Sequence, residues 1–400
     1  MEVVTCLGEG PGEVLDAMIG GRSGITGIPE WDGIEGLRTR VGGRVPITDF
    51  KDIPRTLRRS MSRISLLAVR AARRMVERAG VERDLLQNGD TGVSFGSTMG
   101  GVEELTRFFD GYFHQKGVTG LSSNTFLMFM SHTCASNVAL ALGCGGRIIA
   151  SCSACASGSQ SIGFGFESIR AGRARAMVCG GAEELHFLTA GVFDRLYAAS
   201  TKYNDEPGRT PRPFDRDRDG VVCSEGAGVV LIEDLDSAMQ RGAEPLAEIV
   251  GYGTRTDGTH MTNPSAGGMG RAAVEALDDA GIDASRVDYV NAHATGTPVG
   301  DAAEAAMIRE VYGPGVPVSS PKGHLGHGLG ACGAIEAILT IEMMRRGIVH
   351  PTFNLENVDG SCAGIRHLLE PTKLDMTYAV SHSFAFGGIN SVLVLRRWEP

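Results

Sequence analysis

Cys155 sits in S-A-C-A-S, between a short apolar run and a stretch of small residues. That is the setting of a strand-to-helix turn presenting a nucleophile, at a helix N-terminus where a thiol is expected to lose its proton more easily. Cys144, Cys152 and Cys332 are nearby alternatives, but only Cys155 falls at the turn. His293 lies in Y-V-N-A-H-A-T-G-T-P-V-G-D, after an apolar run and before a helix expected over Asp301 to Val311. His327 lies in S-S-P-K-G-H-L-G-H-G-L-G, read as a strand end and helix start, with Lys322 ahead of it and an extra His324 between them. In α/β folds, strand C-termini carry the chemistry. A thiol, two imidazoles and an ammonium at such loops suit covalent group transfer, in which a thiolate attacks and neighbouring donors hold the developing anion. His293, Asp301 and Glu304 could be mistaken for a metal set, but no H-x-x-x-H or cysteine pair accompanies them. The two acids read as helix caps or braces of the neighbouring site, and no metal is expected. F-A-F-G-G-I-N (Phe384 to Asn390) lacks both phosphate-loop spacings and reads as an aromatic-glycine hinge beside an acyl pocket.

The elements that must position these residues alternate between strand and helix. Thr91 to Gly96, Arg147 to Ser151, Ala176 to Cys179, Gly228 to Glu233, Val287 to Asn291, Val316 to Ser319 and Ser391 to Arg396 are short apolar or β-branched runs bounded by turn residues, the pattern of strands. Met61 to Ala79 carries Ile64, Leu67, Ala68, Ala71 and Met75 on one face and stops at Gly80, which predicts an amphipathic helix with a glycine cap; Val102 to Gln115 is a second. The fold class is therefore α/β. The chain also resembles itself. Gly146 to Gly172 is a strand, a tight turn, a small-residue helix and a stop, and Val316 to Gly347 repeats that plan. Each half then ends in a similar strand, Gly226 to Asp234 and Gly388 to Arg397. This divides the chain into halves 1–244 and 245–400. Helices as bare as those after the two turns must pack against other backbone, which places both centrally with their N-termini at one site.

Composition narrows the partners. Glycine is 56 of 400 residues, about twice the usual share of roughly 7%, without the Ser/Pro bias of a linker. A net charge of −9 argues against nucleic acid as the main partner. Nine cysteines, an odd number without C-x-x-C pairs, and a start in M-E-V-V-T-C-L-G rather than a signal peptide point to a cytoplasmic chain with reduced thiols. Gly117 to Gly146 contains no Asp, Glu, Lys or Arg, yet polar residues interrupt every apolar run, so it predicts a deeply buried segment or a subunit interface rather than a membrane span.

With S-A-C-A-S, V-N-A-H, K-G-H-L-G-H and S-F-A-F-G-G stand G-R-S-G-I-T (Gly21 to Thr26), G-G-A-E-E-L (Gly180 to Leu185), S-T-K-Y-N-D (Ser200 to Asp205) and R-P-F-D-R-D-R-D-G (Arg212 to Gly220). As a set, and nearly end to end, these resemble the β-ketoacyl-acyl carrier protein synthases of type II fatty acid and polyketide synthesis, condensing enzymes of the thiolase fold. The resemblance implies two βαβαβαββ halves in a five-layered αβαβα core. It implies that Cys155 is the acylated nucleophile, His293 and His327 complete a Cys-His-His triad, and Lys322 tunes His327. Phe386, beside Phe384, would be the gate whose N–H joins that of Cys155 in an oxyanion hole. Thr295 and Thr297 would bond a pantetheine arm, Met99 would set acyl-pocket depth, and Asp301 and Glu304 would brace the site.

The same resemblance implies decarboxylative condensation of the Cys155 acyl group with a malonyl thioester. The only cofactor-like group is the phosphopantetheine arm of the acyl carrier protein, and the partner chain is an identical copy or a chain-length-factor paralogue. A non-catalytic chain-length-setting subunit lacks the nucleophile, and a CoA-dependent thiolase carries a second cysteine in the His327 region; both are the weaker alternatives. Departures from the family pattern are a shortened first connection, Ala385 for glycine in the gate, and A-T-G-T for G-T-S-T. They suggest a specialised pathway, such as polyene polyketide synthesis. Arg55, Arg58, Arg59 and Arg63 form a basic patch suited to an acidic carrier protein.

Overall fold

The computed structural model describes residues 1–117 and 122–399. Two sheets dominate. The first contains β1 (Glu2–Thr5), β2 (Gly92–Gly96), β3 (Ile148–Ser151), β4 (Ala176–Glu183) and β5 (Gly226–Glu233), in the order β1-β5-β4-β2-β3. The second contains β6 (Ala247–Thr256), β7 (Tyr289–Asn291), β8 (Pro317–Ser319), β9 (Tyr378–Ala385) and β10 (Ile389–Arg397), in the order β6-β10-β9-β7-β8. First, fifth, fourth, second and third strands follow one another in both. The pairing senses also match, antiparallel for the first two contacts and parallel for the last two. Gly8–Glu9 and Arg366–His367 add a short edge strand to the first and second sheet respectively.

Helices fill three layers around these sheets. α1 (Arg63–Ala79) and α2 (Thr133–Leu142) cover the outer face of the first sheet, and α4 (Ala266–Ala280) and α5 (Pro298–Val311) that of the second; α3 (Ser157–Arg170) and α6 (Cys332–Arg346) lie between. The strand pattern explains the layering, because alternate side chains face opposite ways. Val178 and Ala182 of β4 join Leu67, Ala71 and Met75 of α1, whereas Met177 and Cys179 of the same strand join Ile162 of α3 and Ile338 of α6. α1 ends on Gly80 with φ +57°, the left-handed cap its sequence calls for.

The central helices touch backbone to backbone. A Cβ on Gly158 of α3 would stand 2.9 Å from the Ala334 nitrogen, and one on Gly333 of α6 would stand 2.7 Å from the Ser159 nitrogen. Glycine is required at that crossing, as the bare helices predicted.

The uncharged segment differs from expectation in one part. Residues 118–121 lie outside the described ones. The helix Ser123–Phe129 is not deeply buried, with Phe126 and Leu127 exposed, whereas Thr133, Cys134, Ala135 and Val138 of α2 are buried against α1. The deep-burial reading holds only for α2. Among the described residues no single helix is long and apolar enough to cross a membrane; Ser123–Phe129 and α2 pass a length and composition test only together, bent by 98°.

Candidate active site

Both central helices begin in the same way. A single 3-10 turn, Ala154–Ala156, precedes α3, and another, Leu329–Ala331, precedes α6; Ala154 and Leu329 each take φ +46°. A left-handed non-glycine residue is strained by roughly 1–3 kcal/mol and needs its surroundings to hold it. At the first turn Ser157 does so, its hydroxyl accepting from the Ser153 N–H at 2.8 Å and donating to the Ala154 carbonyl at 2.7 Å. This turn places the Cys155 thiol 3.0 Å from His327 Nε2. His327 is not at a strand end, as its sequence suggested. A short helix, Lys322–Leu325, separates it from β8. His293 follows β7 directly, and its ring meets that of His327 edge-on with centroids 5.2 Å apart.

Lys322 organises the proton positions. Its ammonium is 2.5 Å from Glu336 Oε1 and 3.4 Å from His293 Nδ1. An ammonium only donates, so Nδ1 of His293 accepts and the ring proton sits on Nε2. Burial, reinforced by the Lys322 charge, pushes both imidazoles well below their ordinary range, so both are neutral. Burial alone would pull Lys322 down, and the Glu336 carboxylate more than offsets it and holds the ammonium charged. Burial pushes the Cys155 thiol up to about 12, against the pull of Lys322. The sequence expectation of a lowered thiol did not reckon with this burial. The ring nitrogen within reach of the thiol proton is His327 Nε2.

Cys155, His293 and His327 bring their donor atoms within 4.8 Å of one another, as do His293, Cys332 and Glu336. A soft metal could use such a set, but the ammonium of Lys322 already occupies the cationic position between His293 and Glu336.

The three groups open onto a cavity of about 360 Å³, also lined by Thr295, Thr297, Phe384 and Phe386. Phe384 lies within β9 and packs its ring on His293 and His382, so it is a fixed wall. Phe386 lies in the turn between β9 and β10 and meets Phe193 at 5.4 Å. That turn is joined to the loop 257–265: Asp257 accepts from the Asn390 amide at 2.8 Å, and the Gly387 N–H donates to the Met261 carbonyl at 2.8 Å. The Thr295 and Thr297 hydroxyls are 3.1 Å apart. Asp301 and Glu304 brace the loop after β7. Asp301 accepts from the N–H groups of Thr295, Gly296 and Phe214, and Glu304 from those of His293 and Ala294.

Other expected positions fall elsewhere. Met99 is 42% exposed and outside the cavity, so in the single chain it does not set the depth of that cavity. Arg63 is not a free docking charge, because its guanidinium is bound to Glu225 at 2.6 Å and to the Val45 and Ile47 carbonyls. Arg58 is half-buried, which leaves Arg55 and Arg59 exposed. Two acids escaped the sequence reading: Glu336, which holds Lys322, and Glu183, which accepts from the Thr98 and Gly330 N–H groups. The usable signal for Glu336 was a lone acid in an otherwise small or apolar run, G-A-I-E-A-I; Glu183 opens an acid pair at the end of an apolar run, G-G-A-E-E.

Comparison with known proteins places the whole chain. Residues 1–238 match the model of the N-terminal domain of β-ketoacyl synthase, and residues 246–356 match that of its C-terminal domain. The 3-oxoacyl-[acyl-carrier-protein] synthase 1 of Escherichia coli K12 is 36% identical over 397 residues, covering 99% of this chain and 97% of the relative. A crystal structure of a β-ketoacyl synthase from Burkholderia phymatum STM815 superposes with TM-score 0.96 at 45% identity, covering 100% and 98% of the two chains. A type II polyketide ketosynthase, solved with its acyl carrier protein and bound to a hexaketide, superposes with TM-score 0.90 at 27% identity over 99% and 97%. With the thiol, the two neutral imidazoles and the repeated half-fold in place, the chain belongs to the β-ketoacyl synthase family.

Proposed function

We propose that Cys155, His293, His327 and Lys322 carry out a decarboxylative condensation between an acyl thioester and malonyl-acyl carrier protein. The chain is a 3-oxoacyl-[acyl-carrier-protein] synthase, an acyltransferase of fatty acid or polyketide synthesis. In the first half-reaction the Cys155 sulfur attacks the incoming thioester carbon, its proton passes to His327 and then to the departing pantetheine sulfur, and the acyl group stays on Cys155. In the second, the malonyl thioester loses CO2, and the electron pair left behind is held as an enolate by imidazole N–H donors. That carbon attacks the acyl-cysteine, a C–C bond forms, and the Cys155 sulfur leaves as a thiolate and takes up a proton from solvent, its own having left on the first pantetheine thiol. Thr295 and Thr297 would bond the pantetheine arm, and Phe386 would open and close over the acyl group.

The observation that carries the reading is the 3.0 Å contact between Cys155 and His327 with a second neutral imidazole beside it. A neutral imidazole supplies a donor for an enolate oxygen without adding a buried charge, and Lys322 fixes His293 as that donor through Nε2. Mass spectrometry of the protein incubated with an acyl-carrier thioester and then with malonyl-carrier tests it. Acylation confined to Cys155, discharged only with malonyl-carrier and with CO2 release, is the expected result. A chain-length-setting subunit would stay unacylated, and a CoA-dependent thiolase would turn over acyl-CoA without CO2; either result overturns the reading.

Two partners follow. Arg55 and Arg59, exposed beside the fold, suit an acidic carrier protein; charge reversal of both is expected to lower kcat/KM with carrier-bound substrate and leave small pantetheine thioesters unaffected. β3 is the edge strand of the first sheet, with exposed Ile148 on it and exposed Leu140 on α2, which packs beside it. That face suits a second ketosynthase-like chain, identical or a chain-length-factor paralogue. Sedimentation of Ile148→Lys, expected to be monomeric where the native chain is dimeric, tests this. A cytoplasmic setting accords with nine unpaired cysteines.

A further inference from the structure

Behind His293 lies a buried chain of hydrogen bonds that the condensation as described does not use. The Tyr312 hydroxyl is 3.0 Å from His382 Nε2, and His382 Nδ1 is 3.0 Å from Glu304 Oε1. The same carboxylate accepts the backbone N–H groups of His293 at 2.8 Å and of Ala294 at 2.7 Å. His382 is fully buried, with the Tyr312 ring stacked on one side at 5.6 Å and the Phe384 ring at 5.3 Å. Phe384 in turn packs on the His293 ring.

The donor count gives the chain a direction. Glu304 as a carboxylate only accepts, so Nδ1 of His382 must carry a proton. In neutral His382 the Nε2 lone pair then accepts from the Tyr312 hydroxyl, and that bond fixes the tautomer. Without His382, Oε1 of Glu304 keeps a single backbone donor and the carboxylate loses the partner that sets its angle. The loop it anchors opens with His293, the imidazole that must donate to the enolate oxygen.

We propose that His382, with its tautomer fixed by Tyr312, is a positioning residue for the malonyl half-reaction, acting through Glu304 on the aim of His293. The titratable groups facing it are Glu304 and Tyr312 from α5 and its end, and His293 from the loop after β7, with Lys322 and Glu336 beyond His293.

The inference rests on the condensation reading above, so the two half-reactions are measured separately on the full-length enzyme. Acylation of Cys155 by an acyl-pantetheine thioester is read by intact mass, and 3-oxoacyl formation from malonyl-pantetheine on the pre-acylated enzyme by product release. His382→Leu is expected to slow the malonyl step by about 10- to 100-fold and to leave acylation within about twofold. His382→Asn, whose amide N–H can stand where Nδ1–H stood, is expected to recover most of the loss. Tyr312→Phe frees the tautomer, so its malonyl step is expected to fall by about three- to tenfold, with acylation again within about twofold. Equal loss in both half-reactions, no recovery in His382→Asn, or a native malonyl step in Tyr312→Phe each overturns the proposal. Should His382→Leu not fold, Tyr312→Phe carries the test alone. Failure of the native enzyme to discharge with malonyl thioester would instead sink the condensation reading and leave these variants unneeded.

Discussion

The two turns that open α3 and α6 are the same structure put to different uses. Each has a left-handed residue, Ala154 or Leu329, followed by the residue at which the two turns differ. In the first that residue is Cys155, and space is left in front of it. In the second it is Gly330, whose N–H donates to Glu183 and whose missing Cβ would lie 2.7 Å from the Thr98 nitrogen. One half thus offers a reactive atom from the turn itself. The other closes its turn against backbone and brings Lys322 and His327 to the site from the segment before it, a short helix and the link that follows. Repetition of a fold gives two equivalent positions, and packing around each decides which can hold a side chain.

The largest expected effect breaks the first turn's role. Cys155→Ala should abolish acyl-enzyme formation and lower condensation by roughly a thousandfold or more, measured by intact mass and by product formation, with unfolding by guanidinium little changed. A chain that still condenses would remove the distinction between the turns. The second expected effect concerns the closed turn. Gly330→Ala should cost about 2 kcal/mol or more, because the new methyl meets backbone that cannot yield, and the guanidinium midpoint should drop accordingly. An unchanged midpoint would mean the second turn has room after all.

A third prediction concerns the loop feeding the second turn. His324 stacks on Phe353 at 4.6 Å and burial lowers it to about 4. A base held below its ordinary value of 6.5 lets the unfolded chain take up a proton first as pH falls. Its contribution to stability is therefore complete above about 6.5 and lost toward 4. Relative to His324→Met, the native chain should lose about 1.4 kcal/mol between about pH 7.5 and about 5.5. Parallel unfolding curves for the two proteins at both pH values would show His324 to be solvated. The smallest effect is a flat line. With His293 and His327 both held well below the usual imidazole range, the malonyl step on acylated enzyme should change little from about pH 8 to about 6. A fall centred on the ordinary histidine value would show that one of them protonates.

Much of this was legible in the sequence for physical reasons. Cys155 could be located because a turn before a bare helix leaves few ways to place a side chain, and the helices could be called central because only backbone can cover so many small residues. The repeat gave the sheet order its symmetry. What the sequence hid were pairings across distance. Glu336 sits in a run that reads as apolar helix, and its burial makes sense only with Lys322 at 2.5 Å. Arg63 reads as a surface charge until Glu225, far along the chain, is brought beneath it. Met99 follows a strand that points toward the site, yet the loop carries its side chain outward. Neither charge pattern nor periodicity encodes such meetings, because they depend on which elements the fold stacks.

The glycine crossing of α3 and α6 has a consequence for how such an enzyme can change. Contact of backbone with backbone leaves no side chains there to repack, so the interval between the sulfur and its proton acceptor behaves like a fixed gauge. Adaptation to a longer, shorter or stiffer substrate is then confined to the rim, to the loop 257–265 and the turn that carries Phe386. Variation at the rim alters what is admitted, while the reaction performed stays tied to a joint that tolerates almost no variation.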